Sequence, residues 1–110
     1  MKRLIFLFFI LLLFLTGCTG KYDEFGECLT IKGATMYGTS WCTYCKSQKA
    51  LFGNSFKQIH YVDCDIEKDR CLKDGVEGYP TWIIDGKSYS GEQSLQKLSA
   101  LTECPLEGKS

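Results

Sequence analysis

The chain has no excess of charge, few prolines to punctuate it and a single histidine. Among 110 residues, 13 Lys and Arg balance 13 Asp and Glu. No basic stripe breaks that balance, which leaves nucleic-acid binding without an electrostatic basis. The two prolines and scattered glycines form no linker, and neither an internal repeat nor a low-complexity segment is present. The longest apolar run, residues 4–15, is 12 residues long, against the roughly 20 needed to cross a bilayer. The sole histidine, His60, opens a strand-like segment and reads as a surface or edge residue.

What the chain has in quantity is cysteine, seven in all. Such a density implies disulfides in an oxidising compartment and metal binding or catalysis in a reducing one. The N-terminus points to the first. Lys2 and Arg3 precede the apolar run and small residues follow it, the pattern of a secretory leader. Leu15-Thr16-Gly17-Cys18 then resembles the lipobox of bacterial lipoproteins. That resemblance implies lipidation of Cys18, which becomes the first mature residue and anchors the chain to the extracytoplasmic face of a bacterial membrane without a spanning helix. Loss of residues 1–17 removes Lys2, Arg3 and four of the seven phenylalanines, leaving 11 basic and 13 acidic residues. The expected core is then Phe25, Trp41, Phe52, Phe56, Trp82 and the aliphatic strands. With Cys18 lipidated, an even six cysteines remain.

Residues 18–23 read as the lipidated end and a short tether, 24–105 as one domain and 106–110 as a tail. Within the domain, residues 24–31 form a short helix with Phe25, Cys28 and Leu29 on one face, ending at Gly33. Residues 34–37 suit a buried strand, and Gly38-Thr39-Ser40 breaks it. Residues 42–52 read as a helix stopped by Gly53-Asn54. Residues 59–63 are β-branched and aromatic, a second strand. The acidic stretch 63–69 leads into a short helix over 67–73. Strands at 81–84 and 87–90 flank Asp85-Gly86, a strong two-residue hairpin signal. A last helix over 92–101 carries Leu95, Leu98 and Leu101 as an apolar seam. The order α-β-α-β-α-β-β-α predicts an α/β fold. Its mixed four-stranded sheet has parallel pairs joined by crossover helices, an antiparallel closing strand and flanking helices.

Chemistry concentrates in Trp41-Cys42-Thr43-Tyr44-Cys45, where a strand and loop hand over to a helix. At a helix N-terminus Cys42 faces unpaired N–H groups and the positive end of the macrodipole, which favour a thiolate. Cys45, one turn further, can close a tight disulfide with it. Cys42 is therefore the candidate attacking thiol and Cys45 the resolving one. The pair needs no cofactor. Further on, Gly78-Tyr79-Pro80-Thr81 precedes an apolar strand, and Tyr79-Pro80 is a candidate cis bond.

A CxxC opening the first crossover helix, followed about 35 residues later by Tyr-Pro-Thr-Trp opening a strand, resembles the thioredoxin superfamily. The resemblance implies a thioredoxin-like fold in which Pro80 faces the dithiol and the Tyr79 backbone pairs with an extended substrate. Trp41 then lies beside the site. Met36-Tyr37-Gly38, Trp41-Cys42, Cys45-Lys46, Leu51-Phe52-Gly53 and Gly78-Tyr79-Pro80-Thr81-Trp82 are together similar to the thioredoxin-like domain fused to bacterial vitamin K epoxide reductase homologues. This similarity runs from Phe25 to Cys104 and implies a monomeric carrier between exported protein thiols and a membrane redox partner of that reductase or disulfide-bond-formation type. The four-helix membrane part is missing, so such a partner is a separate protein. Thioredoxins carry a buried carboxylate six residues before the first active-site cysteine, where this chain has Met36. Thr43-Tyr44 is neither the Gly-Pro of thioredoxins nor the Pro-His of strong oxidants. These residues leave the direction of electron flow open. The resemblance favours the oxidative side, with a membrane-fed reductase and a non-catalytic peptide-binding module as the competing readings.

Of the remaining cysteines, Cys64 and Cys71 flank a polar, charged segment that a structural disulfide would staple. A second redox pair relaying electrons from the CxxC is the alternative. Cys28 and Cys104 pair by elimination, among the 15 connectivities that six cysteines allow. The spacing of Cys64 after Cys45 is close to that of a zinc ribbon, but Cys64 and Cys71 are too far apart in sequence for that motif. No metal is expected.

Overall fold

The computed structural model describes residues 20–106. The leader, Cys18 and the residues from 107 onward lie outside them. The described elements are α1 (Asp23–Ile31), β1 (Ala34–Gly38), α2 (Thr43–Phe52), a 3₁₀ segment (Gly53–Gln58), β2 (His60–Asp63), α3 (Lys68–Lys73), β3 (Thr81–Ile84), β4 (Lys87–Ser90) and α4 (Leu95–Thr102).

The strands form one mixed sheet in the order β2-β1-β3-β4. β1 and β2 run parallel, with Met36 opposite Tyr61 and Tyr37 opposite Val62. The expectation of further parallel pairs is corrected here: β3 lies antiparallel to β1, with Met36 opposite Trp82. Only one crossover, through α2, therefore returns the chain in the same direction. β3 turns into β4 through Asp85 and Gly86, both at positive φ (51° and 78°). That backbone matches the twist of the flanking strands and explains the hairpin signal.

Successive residues of the central strands face opposite sides of the sheet. Met36, Trp82 and Ile84 join Phe25, Leu29, Cys45, Phe52, Leu95 and Leu98 in the larger core. Tyr37 and Val62 join Cys64, Cys71 and the partly buried Ile83 and Val76 in a smaller one on the other face. A disulfide links Cys28 of α1 to Cys104 beyond α4, across 76 residues. In the chain-entropy view such a link contributes roughly 4 kcal/mol. A second disulfide joins Cys64 to Cys71. It staples the thin layer where the turn before α3 leaves Ile66, and α3 leaves Leu72, in solvent. Tyr37 reaches across that layer to donate to Asp74 Oδ2 at 2.6 Å.

Two further expectations change. Trp41 is 64 % exposed and takes no part in the core. It sits on the loop after β1, where no element lies over it. α2 ends at Phe52 as expected, with Gly53 at φ 55° as its C-cap, and the chain then enters the 3₁₀ segment, whose Ser55 and Phe56 pack inward. α4 starts at Leu95 rather than residue 92, because the Gln93 backbone is held by Gln48: its N–H donates to Oε1 at 2.7 Å and its carbonyl accepts from Nε2 at 2.9 Å. Ser94 then caps the helix by accepting the Lys97 N–H at 3.0 Å.

Candidate active site: a dithiol facing a cis-proline

Cys42 occupies the N-cap of α2 in an extended conformation (φ −74°, ψ 122°). Its Sγ accepts the Cys45 N–H at 3.2 Å, so the sulfur takes the place that a Ser or Asp oxygen usually fills. The same sulfur donates toward the Tyr79 carbonyl at 3.6 Å. Tyr79-Pro80 is a cis peptide and Pro80 is buried. The turn is held by Thr81, whose Oγ1 donates to the Gly78 carbonyl at 2.7 Å, and by the Gly91 N–H, which donates to the Pro80 carbonyl at 2.7 Å. Two segments nearly forty residues apart thus meet at one sulfur.

Cys42 and Cys45 are free, whereas Cys28, Cys104, Cys64 and Cys71 are consumed in the two disulfides. Cys42 retains 8 % exposure and Cys45 has none. Of the two sulfurs, only that of Cys42 therefore lies within reach of a partner. Burial pushes the Cys45 thiol up to about 11, and its contact with Cys42 adds to this; the Thr39 backbone and Lys49 act in the opposite sense. Around the site, Trp41 and Tyr79 meet edge to face at 6.1 Å, and Tyr44 stands free at 66 % exposure. These three aromatics form a solvent-facing rim on both sides of Cys42.

Four residues outside the CxxC and Tyr79-Pro80 motifs shape this centre. Gly38 lies against Cys45, and a Cβ there would come within 2.8 Å of its Sγ. Gln48 is fully buried and accepts the Trp82 Nε1–H at 2.9 Å while holding Gln93, so it locks α2 to β3. The Cβ position at Gly38 also lies 3.4 Å from Tyr61 Cε2, and the Lys49 ammonium sits 4.2 Å from the Tyr61 ring centroid. Lys49 has a legible signal in its spacing, four residues after Cys45 on the same helix. His60 lies at the exposed start of the edge strand β2 beside Thr35, at 3.2 Å, away from the dithiol. Among the described residues no group of three His, Cys, Asp or Glu side chains could hold a metal ion.

The mixed sheet, the dithiol at the head of α2 and the cis-proline opposite it decide the architecture. The fold is thioredoxin-like. No family model matches the chain. The chain is 38 % identical over 84 residues to a thiol-disulfide oxidoreductase of Arabidopsis thaliana, covering 68 % of this chain and 22 % of the plant protein. It is 40 % identical over 73 residues to a protein disulfide isomerase-like protein of Oryza sativa subsp. japonica, covering 54 % of this chain and 20 % of that one. A protein disulfide-isomerase of Aspergillus niger is 31 % identical over 91 residues, with 61 % of this chain and 18 % of the fungal protein covered. These relatives are thiol-disulfide oxidoreductases and disulfide isomerases. The matches span only about a fifth of the relatives' length.

Proposed function

We propose that this chain is a protein thiol-disulfide oxidoreductase that works outside the cytoplasm, tethered through lipid at Cys18. It exchanges disulfides with exported proteins through Cys42 and Cys45. The single observation that carries the activity is the free Cys42–Cys45 pair, with Cys42 at a helix N-terminus and against the cis Tyr79-Pro80 turn. The oxidative direction and the membrane partner rest on the resemblance to domains fused to vitamin K epoxide reductase homologues. The tether rests on the leader and the lipobox-like Leu15-Thr16-Gly17-Cys18.

In the oxidative cycle a substrate thiolate attacks Cys42 Sγ of the Cys42–Cys45 disulfide. The S–S bond breaks and Cys45 leaves with the electron pair. A second substrate thiolate attacks the substrate sulfur of the mixed disulfide and expels Cys42. Two electrons now reside on the dithiol, and a quinone-linked membrane partner takes them by the same exchange in reverse. The rim of Trp41, Tyr44 and Tyr79 offers apolar contact to an unfolded segment, and the Tyr79 backbone offers strand-like pairing.

The test is the reduction potential of the pair in the detergent-solubilised full chain, equilibrated in glutathione buffers. A value around −120 to −180 mV supports the oxidant, and a value near −270 mV makes the protein a reductase. Replacing Cys42 by Ser should abolish exchange, whereas a pure peptide-binding module would keep its binding. Replacing Cys45 by Ser should trap partners on Cys42.

A further inference from the structure

The dithiol lacks what its buried member most needs. To attack, Cys45 must become a thiolate, yet its sulfur is fully enclosed. Met36 shares its core cluster, fully buried on β1 where a carboxylate could have stood, and opposite Met36 in register is Tyr61. Both are uncharged at neutral pH, and the Tyr61 hydroxyl is buried without a hydrogen-bond partner.

One positive charge stands close. Lys49 follows Cys45 by four residues on α2, so the two side chains lie on one helix face. Its ammonium sits 4.2 Å from the Tyr61 ring centroid and 5.5 Å from that of Phe56. Those two rings meet edge to face at 5.6 Å and form a bracket for it. The edge of Tyr61 and the Cys45 sulfur both rest on Gly38: a Cβ there would lie 3.4 Å from Tyr61 Cε2 and 2.8 Å from Cys45 Sγ. Among the described residues Lys49 makes no ion pair. Its charge is therefore not cancelled by a carboxylate, and the half-buried setting weakens solvent screening.

We propose that Lys49, held over the rings of Tyr61 and Phe56, is the charge that stabilises the Cys45 thiolate when the Cys42–Cys45 disulfide forms or opens. The proposal rests on the oxidoreductase reading of the dithiol. In resolution Cys45 gives its proton to solvent. The thiolate attacks Cys42 Sγ, the Cys42–Cys45 bond forms, and the partner sulfur departs with the electron pair. In opening, Cys45 is the leaving thiolate, and the same charge assists its departure. Tyr61 and Phe56 are positioning residues. The other groups facing this cluster are Cys42 from the head of α2, the Thr39 backbone from the loop after β1, and Asp63 and Asp65 beyond Tyr61. The two carboxylates act against Lys49.

The experiment uses the full chain with Cys18→Ser, reduced at the dithiol, mixed with excess of an aromatic disulfide whose thiolate is coloured. The first coloured thiolate reports attack by Cys42 and the second reports resolution by Cys45. Lys49→Met keeps the apolar stem and removes the charge. The second phase should slow about tenfold at pH 7, and its pH profile should move up by about one unit. The first phase should stay within twofold. Lys49→Arg should restore the second phase, and Tyr61→Leu should reproduce part of the loss. A Lys49→Met second phase that overlays the parent chain at every pH overturns the proposal alone. A parent chain that releases no second thiolate overturns it together with the oxidoreductase reading.

Discussion

Gly38 leaves room for the sulfur of Cys45: a methyl group at residue 38 would stand 2.8 Å from Cys45 Sγ. The φ of Gly38 is not in the left-handed region, so the constraint is one of space and not of backbone freedom. Gly38→Ala should push α2 away from β1 at the dithiol and cost about 1–3 kcal/mol of stability. Exchange should slow more than stability falls. Denaturant melts paired with single-turnover rates would show this, and an alanine variant of parental rate and stability would refute the contact.

Gln48 ties α2 to β3 and to the segment before α4 through three hydrogen bonds, to Trp82 Nε1, the Gln93 N–H and the Gln93 carbonyl. Gln48→Leu fits the volume but strands two buried donors. A loss of roughly 2–4 kcal/mol is expected in chemical denaturation. Gln48→Glu should recover part of it, since the carboxylate still accepts from both donors.

Alkaline pH should weaken the reduced protein. Burial raises Tyr37 to about 12, with the Asp74 hydrogen bond contributing, and burial raises Tyr61 to about 12. Cys45 rises to about 11 for the same first reason. Each folded-state value lies above the ordinary one, so the neutral form is favoured by folding. The stability these groups contribute is complete below about pH 9 and is lost as pH climbs through 11 and 12. The oxidised protein lacks the Cys45 share. Denaturation of both redox forms at pH 8 and pH 10.5 should show the larger drop for the reduced one, and equal drops would contradict it.

The Cys64–Cys71 bridge closes a loop of seven residues' separation over the smaller core. Replacing both cysteines by Ala should lower stability by about 2–3 kcal/mol and leave exchange through Cys42 within twofold. If exchange collapses while near-UV circular dichroism is unchanged, the bridge is a second redox pair instead of a staple.

Local signals made much of the architecture legible. Asp85-Gly86 announced the β3–β4 hairpin because positive φ at two successive positions is a property of those residues themselves. The CxxC at the start of a helix placed Cys42 at the N-terminus of α2, because a helix start too is settled within a few residues. Strands 81–84 and 87–90 emerged with the expected bounds, since turn residues fence them on both sides. The direction of β3 did not emerge. Residue preferences specify that a segment is extended, not which neighbour it pairs with or how it is oriented. Trp41 looked like core because its side chain is apolar, but only the path of the loop after β1 decides whether anything covers it.

By itself, then, the sequence determined the element order, the hairpin, the helix that carries the dithiol and the chemistry of two thiols at that spacing. These are short-range matters, settled by propensity, capping and turn geometry. The tertiary structure alone decided which thiol meets solvent, that Gly38 gives Cys45 its space, that Gln48 delays α4, and that Lys49 comes to lie over Tyr61. Each of those depends on β1, α2, β2 and β3 converging from distant parts of the chain. The environment of a buried sulfur is the sum of what those segments bring to it.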